Sequence, residues 1–223
     1  VGQFVFLMVV FFLMIVGIIY VEQGQRRIPI QFAKRVRGRK VMGGQSTYIP
    51  LKVNSAGVIP VIFATSILFF PALVATSLPQ DNNVTAAIRN WIDINLANSQ
   101  GTTWFYVFFL GILIIFFTYF YTTIQFDPVR QSDMIRRQGG FIPGVRPGIS
   151  TTNYLSHIIN RITLPGSVFL ASVAVLPSIA SVIWDIPLGF SGISILITVG
   201  VALETMKQIE SQLSMRNYEG FID

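Results

Sequence analysis

Cysteine is absent from this 223-residue chain, which rules out disulfides, thiolate metal sites and cysteine nucleophiles. Histidine occurs once, as His157. No acidic residue stands beside it at metal-ligand spacing, so it reads as structural. Charge is sparse. Asp, Glu, Lys and Arg make up 12% of the residues, where a soluble domain carries about 25%. No pair of carboxylates lies within an apolar run, which leaves no visible proton relay. The sequences G-x-S-x-G, H-E-x-x-H and the phosphate-binding loop do not occur. The glycines of GGFIPGVRPG neither follow a strand nor open a helix as a dinucleotide loop does. No catalytic residue, cofactor site or metal site is therefore expected, and the chain is not read as an enzyme.

Apolar residues fill the space that charge leaves, at 52% of the chain. They fall in runs long enough to cross a bilayer. Five spans are expected, over about 4–21, 53–76, 104–124, 162–183 and 188–203, which makes this an all-α polytopic membrane protein. The first run has no small-residue cleavage site after it, so it reads as a membrane helix and not as a secretion signal. The second run carries Asn54, Ser55, Gly57, Pro60 and Pro71. Its freed backbone groups need partners, so one side is expected to face protein or water. Between the second and third runs, Ala87, Ile88, Trp91, Ile92 and Leu96 recur at helical spacing opposite Arg89, Asn90, Asp93 and Asn95. That pattern predicts an amphipathic helix at the outer interface.

Base is concentrated where apolar residues are not. Residues 22–52 hold Arg26, Arg27, Lys34, Arg35, Arg37, Arg39, Lys40 and Lys52 against the single acid Glu22. Within this loop Ile28, Ile30 and Phe32 alternate with their neighbours, and so do Ile49, Leu51 and Val53. Two strands with a tip at Arg37 to Gly44 are expected. The second loop, 125–161, opens with Asp127-Pro128, a helix start. It continues through GGFIPGVRPG, whose glycines and prolines demand a folded turn around Arg146. Both loops and the tail, 204–223, together hold every basic residue except Arg89. Such asymmetry puts them in the cytoplasm and residues 77–103 outside. With the tail inside, five spans start the first one on the outer side, so further sequence is expected upstream of it. The basic loops also suit a polyanion such as RNA or anionic lipid.

These residues resemble the SecY family of protein-conducting channels, in its bacterial form. The resemblance is carried by QRRIPIQFAKRVRGRKVMGGQSTYIPLKVNSAGVIPVIFATSILFFP, by FDPVRQSDMIRRQGGFIPGVRPG and by TTNYLSHIINRITLPG, and it is collinear along the chain. It implies helices six to ten of a ten-helix channel, the carboxy-terminal half. It also implies a role without catalysis, in which secretory proteins cross the plasma membrane and membrane proteins enter it. The partners it implies are SecE, SecG, the motor SecA, the ribosome, signal peptides and nascent chains, membrane lipids, and the amino-terminal half of the same protein. Carried over by position, Lys34, Arg35, Arg37, Arg39 and Lys40 correspond to the hairpin that docks ribosome or SecA. Arg146 corresponds to a functionally critical arginine of the second loop. Asn54 matches a polar lateral-gate position, and Ile62 and Ile197 match an apolar pore ring. Two other classes remain open on the residues alone: half of a secondary solute transporter, and a non-conducting ribosome receptor. The first needs an ionisable site at mid-membrane. The second gives no reason for a polar, kinked second span.

Overall fold

The computed structural model describes residues 2–32, 35–37, 40–42, 46–77, 83–96, 103–184 and 192–219. These residues form seven helices and five short strands. Helix α1 (Gly2–Gln23) leads into strand β1 (Gln25–Phe32), then β2 (Arg35–Arg37), β3 (Lys40–Met42) and β4 (Ser46–Lys52). Helices α2 (Ile59–Thr76), α3 (Asn83–Asn95), α4 (Trp104–Gln125) and α5 (Pro128–Arg137) follow. Strand β5 (Gly140–Phe141) and the long helices α6 (Ile149–Trp184) and α7 (Gly192–Glu219) complete the chain. Among the described residues, four stretches are long and apolar enough to span a bilayer: Ile59–Thr76, and parts of the runs Trp104–Arg137, Ile149–Ala180 and Gly192–Met215. Helix α1 adds a further apolar segment, Met8–Gln23, which is shorter.

Two separate cores hold the molecule, and different forces build them. The membrane core joins Ile18, Val61, Ala64, Leu68, Leu110, Ile114, Leu170, Ala174 and Leu196, contributed by α1, α2, α4, α6 and α7. Lipid is as apolar as leucine, so burial in it gains little and close packing must hold the helices. Small residues allow that approach. A Cβ on Gly166 would come within 2.8 Å of the Val53 carbonyl oxygen. A Cβ on Gly192 would run into the Val173 and Ala174 carbonyls. The second core joins Ile28, Ile30, Leu51, Ile135, Ile142, Leu155 and Ile158. Its helix α5 is capped by Asp127, whose carboxylate accepts from the amides of Val129 (2.9 Å) and Arg130 (3.3 Å), with Pro128 in the first turn.

Helix α6 runs through both cores without a break. Leu155 and Ile158 lie in the second core, whereas Leu170 and Ala174 lie in the first. The helix begins at Ile149, well inside the loop expected over 125–161, so much of that loop is helix. Helix α2 begins at Ile59 and not at Val53. The physical reason is local: Gly57 takes a left-handed backbone, φ +62°, which ends any regular approach. Pro60 sits in the first turn, where its missing N–H costs nothing. Only Pro71 remains inside α2.

Leu96, directly after helix α3, packs against the membrane core, and α3 leaves part of its apolar side open. Ile88 and Trp91 are about half exposed, while Arg89 and Asp93 pair across one turn at 3.7 Å and are more covered. Trp91 meets Phe105 edge-on at 5.7 Å, and the Thr103 hydroxyl donates to the Ile94 carbonyl at 2.8 Å.

Candidate functional site

The basic loop is a hairpin of two stages. Strands β1 and β4 pair antiparallel from Gln25↔Lys52 to Gln31↔Ser46. Beyond them β2 and β3 form a second pair, Arg35↔Met42 to Arg37↔Lys40. Of the expected docking residues, Arg35, Arg37 and Lys40 lie on this second pair, for which only the backbone is described; Lys34 and Arg39 lie outside the described residues. Alternation along β1 puts Ile28 and Ile30 in the core and leaves Arg27, Pro29 and Gln31 exposed. On the open face the Arg27 guanidinium sits 4.9 Å from the centroid of Tyr48. Arg27 is thus a fixed cation that counting charges did not distinguish from its neighbours.

The turn around Arg146 is built onto the same unit. Strand β5 adds to the free edge of β1 through Gln31↔Phe141 and Phe32↔Gly140. Gly140 is needed there, since a Cβ would meet Ile30 at 3.0 Å, Phe32 at 3.1 Å and Ile135 at 3.2 Å. Gly139, Gly144 and Gly148 all have positive φ, which bends the chain back to α6. Side chains then pin the turn. The Thr151 hydroxyl donates to the Arg146 carbonyl at 3.0 Å, and the Ser132 hydroxyl donates to the Gly148 carbonyl at 3.1 Å. Arg146 itself is exposed, and among the described residues its guanidinium has no salt-bridge partner. A fixed backbone therefore carries an available planar cation, on the same small sheet as the hairpin.

Asn54 lies where the hairpin ends and α2 has yet to begin. It is 6% exposed. Its Nδ2 donates to Glu22 Oε2 at 2.9 Å and to the Gly57 carbonyl at 3.2 Å. Its Oδ1 is buried and has no hydrogen-bond partner among the described residues. The side chain lines a cleft of about 410 Å³ shared by Glu22, Lys52, Tyr121, Glu204 and Lys207. Glu22 was legible only as the lone acid of a basic loop; nothing local to it points to Asn54.

Ile62 is 43% exposed on α2, and Ile197 is partly buried on α7. Two observations bracket their levels. A Cβ on Gly200 would touch Val58 at 3.4 Å. One turn or more further along, Thr65, Ser66 and Phe69 share a cleft of about 370 Å³ with Ile193. The two helices run in opposite directions between these points, so Ile62 and Ile197 fall at one level. The hydroxyls near Ile62 are satisfied within α2: Thr65 donates to the Val61 carbonyl at 3.0 Å, and Ser66 to that of Ile62 at 2.7 Å. This level presents aliphatic carbon and few free polar atoms. Among the described residues no group of His, Asp or Glu could hold a metal ion.

Comparison with known proteins adds the following. The sequence model of the family described as SecY matches residues 1–206. A protein translocase subunit SecY of Streptomyces scabiei is 52% identical over 215 residues, covering 94% of this chain and 47% of that protein. One of Mycobacterium tuberculosis is 48% identical over 218 residues, covering 94% of this chain and 48% of its own length. The chain thus spans about half the length of the curated relatives it matches. Among solved structures, one described as a protein-conducting channel aligns with TM-score 0.58 at 19% identity, over 90% of this chain and 47% of that one. Another, from work on the plug domain of a SecY channel, aligns with TM-score 0.54 at 18% identity, over 92% and 49%. At such identity these two likenesses speak for the fold.

Proposed function

This chain belongs to the SecY family, and from that premise we propose that it forms the carboxy-terminal half of a protein-conducting channel. In this reading it passes secretory proteins across the plasma membrane of a bacterium and releases membrane proteins into lipid. Five helices cross the bilayer, α1, α2, α4, α6 and α7, and an amino-terminal half completes the pore. Passage, not catalysis, is the activity. The observation that carries the proposal is the continuity of α6 between the two cores. A cytoplasmic unit bearing the hairpin and the Arg146 turn is thereby fixed to the membrane bundle. A docking event on that unit has a stiff route to the helices.

The roles follow by position. The hairpin around Lys34, Arg35, Arg37, Arg39 and Lys40, with Arg146, receives the ribosome or SecA, the first through rRNA phosphates. SecE and SecG complete the membrane complex. Asn54 belongs to the lateral gate, which signal peptides open. Ile62 and Ile197 belong to an apolar constriction. Branched aliphatic side chains offer water and ions no hydrogen bonds, so a narrow passage between them stays dry. They also part for a peptide without breaking specific bonds.

The pore ring supplies the test. Ile62→Asn and Ile197→Asn, in the complete channel, are expected to raise resting ion conductance and to admit proteins with defective signal sequences. Conductance of reconstituted idle channels and export of a signal-defective reporter are the measurements. Two variants as tight and as selective as the parent would return both isoleucines to ordinary packing.

A further inference from the structure

The last residues before the hairpin and the first after it are joined by a rung that the strand register does not include. The β1–β4 ladder closes with Gln25↔Lys52, and one more backbone bond, from the Val53 amide to the Gly24 carbonyl at 2.9 Å, extends it. Next outward comes the side-chain bond between Asn54 Nδ2 and Glu22 Oε2, at 2.9 Å. Glu22 belongs to α1, and Asn54 leads into α2.

This bond decides more than distance. An amide has one donating end and one accepting end, and they exchange when it flips. Here both partners of Nδ2, the Glu22 carboxylate and the Gly57 carbonyl, can only accept. The flip state is therefore dictated, and Oδ1 is left as a buried acceptor without a partner among the described residues. We propose that Glu22 is a positioning residue, which fixes the orientation of the Asn54 amide and pins the start of α2 to the foot of the hairpin. The proposal rests on the reading of Asn54 as a gate residue. Movement of the hairpin then reaches α2 through this rung. Of the two acceptors, Glu22 is the stronger, because a charged partner roughly doubles a hydrogen bond.

Three replacements separate the possibilities, each in a full-length, otherwise cysteine-free channel with its partner subunits. Glu22→Gln keeps an acceptor, Glu22→Ala removes it, and Glu22→Lys replaces it by a donor that calls for the flipped amide. The first readout is independent of transport. Ala56 is 2% exposed beside the rung, so a cysteine there labels with a water-soluble maleimide only when the start of α2 comes loose. Glu22→Gln, which keeps an acceptor but loses its charge, is expected to label within about threefold of the parent rate, and Glu22→Ala and Glu22→Lys about tenfold faster. Equal labelling in all three overturns the positioning role, whatever transport does. The second readout is export of a signal-defective reporter beside an intact one. Glu22→Lys and Asn54→Ala are expected to change the ratio of the two, with Glu22→Gln restoring it to the parent value. If Asn54→Ala leaves that ratio unchanged while labelling responds to Glu22, the gate reading of Asn54 fails and the positioning role stands. If Glu22→Gln behaves like Glu22→Lys, acceptor chemistry is not what matters and the proposal falls.

Discussion

At the scale of single residues, Arg27 and Arg146 are held by different means. Arg27 is held through its side chain, against the ring of Tyr48; such contacts are worth about 0.5–1 kcal/mol at exposed sites. Arg146 is held through its backbone, since Thr151 bonds its carbonyl. The guanidinium of Arg146 remains exposed. A planar fork on a fixed stem can make two parallel bonds to a phosphate or carboxylate, which an ammonium cannot. Arg146→Lys is therefore expected to slow translocation by about tenfold or more. Its abundance should hold, because exposed substitutions usually cost within about 0.5 kcal/mol. Transport into membrane vesicles, normalised to channel content, checks this. Transport at the parent rate would reduce Arg146 to one more charge among the fifteen that set topology.

At the scale of elements, the decisive piece is also the smallest. Strand β5 is two residues long, yet it attaches the Arg146 turn to the hairpin. Its stability comes from what surrounds it: Ile142 is 2% exposed, and Ile30, Ile135 and Leu155 close the same core. Each fully buried aliphatic side chain there contributes about 1.5–3 kcal/mol. A Cβ at Gly140 would crowd the side chains of Ile30, Phe32 and Ile135, which would have to give way. Gly140→Val is expected to cost about 1–3 kcal/mol by overpacking and to release β5 from β1. Trypsin then cuts sooner after Arg136 and Arg137, since proteolysis tracks local opening. Gly139→Ala has space for its methyl but forces a left-handed backbone. It separates strain in the turn from steric undocking of the strand. Unchanged cleavage in Gly140→Val would mean that the turn docks without β5.

At the scale of the whole molecule, the surface is mostly apolar where the helices face outward. Phe12, Leu13, Phe69, Phe70, Phe108 and Phe116 are each more than half exposed. A soluble protein does not present so large a patch, but a membrane helix does so at no cost. Charge asymmetry predicts the orientation of the bundle. The chain has no cysteine of its own, so a single introduced thiol reports cleanly from this half. Gln138 and Asn90 are exposed, on the second loop and on α3. Gln138→Cys is expected to react only with reagent on the cytoplasmic side, and Asn90→Cys only with reagent outside. Labelling of both from one side would overturn the orientation.

Much of the fold was written locally and could be read without coordinates. Apolar runs made helices because length and transfer energy are properties of a segment alone. The alternation of Ile28 and Ile30 announced a one-sided strand, and Asp127-Pro128 announced the start of α5. The pairing of β1 with β4 and the folded turn at Arg146 were each legible in the same way, although the stretch expected as the hairpin tip, 37–44, carries the end of β2 and all of β3. What joins them was not. A two-residue strand has no periodicity to detect, and β5 meets β1 across more than a hundred residues of chain. The pairing of Glu22 with Asn54, 32 positions apart, was equally silent. An acid at the end of an apolar run looks the same whether it faces water or holds an amide. The start of α2 shifted because Gly57 could adopt either helical or left-handed backbone, and only packing chose between them. Sequence by itself determined which segments form long apolar helices and where charge gathers, since both depend on composition within a few turns. The tertiary structure alone decided that two distant loops share one core and that one acid orients one amide, because such contacts exist only once the chain has closed on itself.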